Sequence, residues 1–290
     1  MMSSNSQNLI NECIEHLQLH NPQITKLGGG DINESYRLLA SLGDYFLKIN
    51  SHHGFIDAEY DALNYIGRVT ENIFPEVIHY FTTDDGSGLV MDFMEPVRAR
   101  DDDYYELGNQ LFRLHQVKNE QFGWHTNNYI GRLGQENPYN TSWVDFYFHN
   151  RILPQLKLTV NNQYFQSSDF LSEEHLHQRI ATLMPKDIVP VLLHGDLWAG
   201  NYLVAKDGST FLIDPASYFG HYEVDLAMTK LFGGFNPAFY EAYYERVRGK
   251  ISGEGDRANL YQLFYLLVHL NMFGSSYKSG VDSLIKQVFR

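Results

Sequence analysis
His194-Gly195-Asp196 is followed by Asn201, five positions after the aspartate, and an apolar hairpin then runs to Asp214-Pro215-Ala216. A carboxylate, a side-chain amide and a second carboxylate, in that order, make up the donor set that phosphoryl transfer needs. Asp196 would accept the proton of a hydroxyl held in line with a γ-phosphate. Asn201 and Asp214 offer the hard oxygen ligands that Mg²⁺ requires as it bridges the phosphates of ATP. This chemistry works only if the three side chains converge on one triphosphate.

The order and offsets match the kinase pattern H-R-D-x-x-x-x-N followed by D-F-G, with Gly195 in second place and Pro215-Ala216 closing the last motif. Groups for the phosphates that are not transferred lie upstream. Lys48 sits in Tyr45-Phe46-Leu47-Lys48-Ile49, a strand pattern like the kinase V-A-I-K, and Glu59 on the next predicted helix is spaced to ion-pair with it. Gly28-Gly29-Gly30 would let backbone approach phosphates closely, although the triplet is neither a Walker A motif nor a full G-x-G-x-x-G. Leu89 to Met94 falls where a kinase hinge belongs, which assigns Asp92, Phe93 and Met94 to adenine; an ordinary strand end is the alternative.

The elements that must carry these groups are visible as periodicity. Leu9, Ile10, Cys13, Ile14 and Leu17 line one face of an N-terminal helix that ends at Pro22 and the glycine triplet. Strands are predicted at 36–39 and 45–49 around a turn at 41–44, and at 76–80 and 88–93 around Asp84-Asp85-Gly86, with a helix over 57–69 between the pairs. Beyond Glu95-Pro96 the period becomes helical around Leu107, Leu111 and Leu114, around Trp143, Phe146 and Tyr147, around Leu226 and Leu231, and from 258 to 272. One strand-rich island interrupts it at 189–193, 202–204 and 211–213. The predicted class is α+β: an antiparallel-sheet nucleotide lobe over 1–94 and a larger, mainly helical catalytic and acceptor lobe over 95–290.

Composition excludes several other classes. Hydrophobic residues make up 43% and charged residues 20%, which argues against disorder. The formal net charge of −13 opposes general attraction to nucleic acid or anionic lipid. One cysteine permits no internal disulfide, and Cys13 on the helix's apolar face reads as a small buried hydrophobe. The first residues lack a basic and then apolar leader, and the run 261–273 is too short and too interrupted to span a bilayer, so a cytoplasmic protein is expected.

Several further segments carry a resemblance. They are Phe122-Gly123-Trp124-His125 with Tyr129-Ile130-Gly131, Trp143-x-x-Phe146-x-x-x-x-Arg151, the run from His194 through Leu197-Trp198-Ala199-Gly200 to Asn201, and Gly220-His221-x-Glu223. Phe232-Gly233-Gly234-Phe235 and Tyr261-Gln262-Leu263-Phe264 complete the set. From about residue 25 onward the chain resembles the fructosamine kinase (ketosamine-3-kinase) family, a branch of the aminoglycoside-phosphotransferase variant of the kinase fold. The resemblance implies ATP-dependent phosphorylation of the 3-hydroxyl of a ketosamine, either a small molecule or a glycated protein lysine. It further implies Asp196 as proton acceptor, Asn201 and Asp214 as Mg²⁺ ligands, Lys48 and Glu59 as the groups serving the phosphates, and 92–94 as the hinge. A C3 phosphate beside the carbonyl is a good leaving group, so the product would eliminate phosphate and release the amine.

One departure stands out: some members carry Cys directly after the glycine triplet, where this chain has Asp31, so thiol control of that loop is not expected. The competing readings are a kinase of the same fold acting on an aminoglycoside or choline-like hydroxyl, and a nucleotide-binding pseudokinase. A protein kinase fits less well, since no D-F-G…A-P-E activation loop is present. Three residues keep open alternatives: Trp198 is a sugar platform or core, and His221 and Glu223 touch the acceptor or brace the helix near Val224. Asp225 reads as a tether for the catalytic loop. His16 with His20, and His175 with His177 beside Glu173 and Glu174, lack a complete ligand set and read as surface histidines.

Overall fold
Ser3 accepts the backbone N–H of Ser6 and starts α1 (Ser4–His16), whose Leu9, Ile10 and Cys13 are buried in the first core. Burial pushes the Cys13 thiol up to about 12, so it is a packing residue with little thiolate character. The computed structural model describes residues 3–28, 32–247 and 253–289. The chain forms two compact units, Met1–Ala99 with Leu203–Pro215, and Arg100–Tyr202 with Ala216–Arg290. A single boundary after residue 94 does not describe this division, because a later hairpin joins the first unit. Val97 N–H donates to the Val204 carbonyl at 2.8 Å, Lys206 N–H to Glu95 at 3.0 Å and Leu212 N–H to Ile73 at 2.8 Å.

In the first unit, β1 (Gln23–Leu27), β2 (Glu34–Ala40) and β3 (Gly43–Asn50) precede α2 (Phe55–Val69), which β4 (Val77–Thr83) and β5 (Gly86–Asp92) follow. The sheet is antiparallel throughout, in the order β1-β2-β3-β5-β4. Ala40 pairs with Gly43 and Thr83 with Gly86, so each hairpin turns on two residues, tighter than the sequence signals suggested. β1 lies before the glycine triplet, where only a helix end was expected; it is exposed along nearly all its length and shows no alternation. Alternation along β3 sends Leu47 and Ile49 into the core beneath α1 and leaves Lys48 on the opposite face.

The second unit begins with α3 (Asp101–Leu114), then a small hairpin of β6 (Asn128–Ile130) and β7 (Leu133–Gln135). α4 (Trp143–Tyr147) runs into a π-helical turn at Phe148–Ile152 and on into α5 (Leu153–Asn161), and α6 (Glu173–Leu183) follows. After β8 (Val191–Leu192) come the two strands of the later hairpin, β9 (Tyr202–Val204) and β10 (Thr210–Leu212), then β11 (Phe219–Gly220). The helices α7 (Glu223–Leu231), α8 (Pro237–Arg246), α9 (Glu254–Phe273) and α10 (Lys278–Phe289) complete the unit. The expected strand island splits: β9 pairs with β10, whereas β8 pairs with β11. α9 packs against α5, α7 and α10 and buries Leu260, Tyr261, Phe264, Tyr265 and Leu267. No helix among the described residues is long and apolar enough to cross a membrane.

Candidate active site
In the first unit, the side chain that β3 turns away from the α1 core meets α2. Lys48 Nζ lies 2.7 and 2.9 Å from the two carboxylate oxygens of Glu59, and 2.6 Å from Oδ1 of Asp214. Lys48 and Glu59 are buried, while the Asp214 side chain is 47% exposed. Burial works against the ammonium charge, but Asp214 and Glu59 together outweigh it and hold the Lys48 pKa above its ordinary value. The lysine is therefore a permanent cation, held from the α2 side by Glu59, with the partly exposed Asp214 as its second partner. Asp214 has a φ of 56°, the left-handed region that a non-glycine residue occupies at a cost of about 1–2 kcal/mol. Such strain persists where the surrounding structure dictates a side-chain position.

In the second unit, the segment His194–Asn201 is braced on several sides. Asp225, fully buried near the start of α7, accepts the backbone N–H of His194 at 2.7 Å and that of Gly195 at 2.8 Å. Its Oδ2 also lies 3.1 Å from His115 Nε2. The Tyr265 hydroxyl donates to the Gly195 carbonyl at 2.8 Å, and Ala216 N–H donates to that of His194 at 2.8 Å. The Asn201 amide nitrogen donates to the Asp196 carbonyl at 2.8 Å and more weakly, at 3.4 Å, to the Asp196 carboxylate. With its nitrogen so committed, Asn201 has its amide oxygen to offer as a ligand.

The same packing explains why glycine replaces the arginine of the kinase pattern. Gly195 has a φ of +85°, and a Cβ there would lie 2.2 Å from the Ala216 carbonyl oxygen. No other residue fits without moving the loop. A Cβ on Gly200 would lie 2.4 Å from the Trp198 indole, which covers that glycine and is 42% exposed.

The other sequence-predicted residues fall as follows. Asp92 ends β5 with an exposed side chain, Phe93 N–H donates to the Asp44 carbonyl at 2.9 Å, and Met94 follows in irregular backbone. Gly28 directly follows β1, and a Cβ there would meet no atom of the described residues within 4 Å. Gly29, Gly30 and Asp31 lie outside the described residues. The exposure of Trp198 excludes the core reading. Of the two alternatives for His221 and Glu223, the packing favours bracing over acceptor contact: both are buried and committed within the protein. His221 Nδ1 lies 2.7 Å from the Tyr261 hydroxyl, and Arg257 grips both carboxylate oxygens of Glu223 at 2.7 Å. Burial, helped by Arg257 and His115, lowers the His221 pKa to about 3, so its imidazole is neutral. The bracing residues His115 and Tyr265 escaped the sequence reading because neither belongs to a motif with the loop it holds.

Comparisons with known proteins identify the family and the fold. The fructosamine kinase family model matches residues 1–290. A probable ketoamine kinase of Enterococcus faecium is 37% identical over 92% of this chain and 95% of its own length. The chloroplastic protein-ribulosamine 3-kinase of Arabidopsis thaliana is 35% identical over 92% of this chain and 84% of its own. The crystal structure of a candidate fructosamine-3-kinase from Haemophilus somnus has a TM-score of 0.86 at 26% identity, covering 98% of each chain. An aminoglycoside phosphotransferase aligns with a TM-score of 0.62 over 97% of this chain and 98% of its own; at 16% identity this shows the kinase-like fold alone. With a family model spanning its whole length and relatives of this similarity, the chain belongs to the fructosamine kinase family.

Proposed function
We propose that this protein is an ATP-dependent ketosamine 3-kinase and that Asp196 accepts the proton of the sugar's 3-hydroxyl as the γ-phosphoryl group is transferred. The observation that carries the reading is the buried Lys48–Glu59 ion pair, joined by the partly exposed Asp214, in a family member whose Asp196 loop is braced by Asp225. The residues suit the groups they would hold. Lys48 is a fixed cation for non-transferred phosphates, with Glu59 orienting it. The Asn201 amide oxygen and the Asp214 carboxylate are hard oxygen donors of the kind Mg²⁺ takes, and Mg²⁺ there would neutralise developing phosphate charge. The backbone at 92–94 and the glycine triplet beginning at Gly28 would hold adenine and phosphates, with Trp198 offering an apolar face to the sugar.

Within this reading, the loop's rigidity does the orienting. The Asn201 amide steadies the Asp196 carboxylate, and the hydroxyl proton passes to that carboxylate while the phosphoryl group passes to the sugar oxygen and ADP leaves. The acceptor is a ribulosamine or fructosamine, free or on a protein lysine, and the 3-phosphate product eliminates phosphate to release the amine. The reaction is assigned to the cytoplasm, where ATP is supplied.

Incubation with ATP, Mg²⁺ and a panel of ribulosamines, fructosamines and an aminoglycoside, with the phosphorylated position mapped by NMR, tests the proposal. A ketosamine 3-phosphate is the expected product, and Asp196→Asn is expected to abolish it while ATP still binds. Absence of turnover on every ketosamine, or greater kcat/KM on the aminoglycoside, would overturn it.

A further inference from the structure
Away from the residues assigned to phosphoryl transfer, two histidines and an aspartate meet in the second unit. Asp145 comes from α4, His149 from the π-helical turn that follows it, and His177 from α6. One ligand-capable atom from each lies within 4.8 Å of the others. We propose that this cluster is a binding site for a divalent transition metal, with zinc the ion its donors suit best.

The donor set separates this site from a magnesium site. Two imidazole nitrogens and one carboxylate oxygen are borderline ligands that favour zinc, cobalt, nickel or copper over a hard cation. His177 Nε2 already lies 2.6 Å from Asp145 Oδ1. The His149 and His177 rings are 6.0 Å apart between centroids and inclined by 35°. A tetrahedral zinc with bonds of about 2.0–2.1 Å separates its ligand atoms by about 3.4 Å. The Asp145–His177 contact would open by less than about 1 Å, and the widest separation would close by at most about 1.5 Å. Side-chain rotation can supply that movement, since the His177 and Asp145 side chains are 32% and 46% exposed and His149 is exposed. The same exposure admits water as the fourth ligand.

Neighbouring contacts fix the backbone around the cluster. The Ser142 hydroxyl accepts the Asp145 N–H and caps α4, and the edge of Phe148 packs on His177 at 5.3 Å. Asp145 and His149 are four residues apart, a spacing that puts side chains on one helix face, and the turn carrying His149 is π-helical. Such turns inside helices are frequent at functional positions. An Asp–His hydrogen bond alone has no use for a second imidazole; a metal does. Bound metal would clip α4 to α6, and because the unfolded chain lacks the cluster, binding would raise stability by mass action.

Co²⁺ serves as the probe, titrated into metal-stripped full-length protein with excess Mg²⁺ present to occupy hard-oxygen sites. One equivalent is expected to give the visible absorption of a low-coordinate cobalt centre, and Zn²⁺ should displace it and raise Tm. His149→Gln and His177→Gln should each weaken binding by about tenfold or more. His175→Gln, on the same helix, should leave it unchanged. Circular dichroism verifies folding of each variant, and exposed His149 gives a usable variant if His177→Gln fails to fold. No stoichiometric cobalt signal, or a signal that survives both substitutions, overturns the proposal.

Discussion

Asp225→Asn is the sharpest test of how the catalytic loop is held. The carboxylate spends Oδ1 on Gly195 N–H at 2.8 Å, and Oδ2 on His194 N–H at 2.7 Å and on His115 Nε2 at 3.1 Å. An amide keeps one acceptor oxygen and turns two N–H donors toward a backbone N–H that also donates. A charge-assisted hydrogen bond worth about 1.5–3 kcal/mol is lost, and a buried N–H is left unsatisfied at about 1–3 kcal/mol. Together the loss is about 2.5–6 kcal/mol. At about 2–4 °C per kcal/mol, Tm should fall by about 5–24 °C in calorimetry. The residues released immediately precede Asp196, and a displacement of about 1 Å there costs about a hundredfold in rate. An ADP-release assay with a ketosamine acceptor should therefore show kcat lowered by about that factor. Tm and kcat both near wild type would refute the bracing argument. Unchanged Tm with kcat abolished would also refute it, since Asp225 would then take part in the reaction itself.

Two further substitutions probe the same scaffold. Gly195→Ala places a Cβ at a φ of +85° and 2.2 Å from a carbonyl oxygen; the strain and overlap should cost about 3 kcal/mol, read as a lower urea midpoint, with loss of kcat. His221 gives a pH dependence of definite sign. Its pKa falls from 6.5 to about 3 on folding, so the unfolded chain takes up the proton first as the solution is acidified. The contribution is fully present above about pH 6.5 and declines by up to about 1.4 kcal/mol per pH unit down to about pH 3. His221→Gln cannot titrate and should flatten the unfolding free energy over that window by about one proton; parallel curves for the two proteins would contradict the assignment.

Much of the site is legible because its parts are local. Lys48 announces itself by interrupting an apolar strand, and Glu59 by falling on the next helix, eleven residues on, so strand and helix periodicity alone set up the ion pair. The same holds for Asp196 and Asn201, which share one short loop. Trp198, His221 and Glu223 show where that legibility stops: their neighbours in sequence are identical whether they face a ligand or the interior, and burial is a property of the whole packed unit.

The sequence by itself determined the sheet-then-helix order, the helix and strand periods, and the chemical kinds of group available, because these depend on residues a few positions apart. Tertiary structure alone decided the rest. Lys48 meets Asp214 across 166 residues, Asp225 reaches Gly195 across 30, and His177 reaches Asp145 across 32. It also decided the pairing of β8 with β11, the edge strand β1 and the π-helical turn under His149. Each of these follows from which surfaces exclude water together, and no short stretch of chain carries that information.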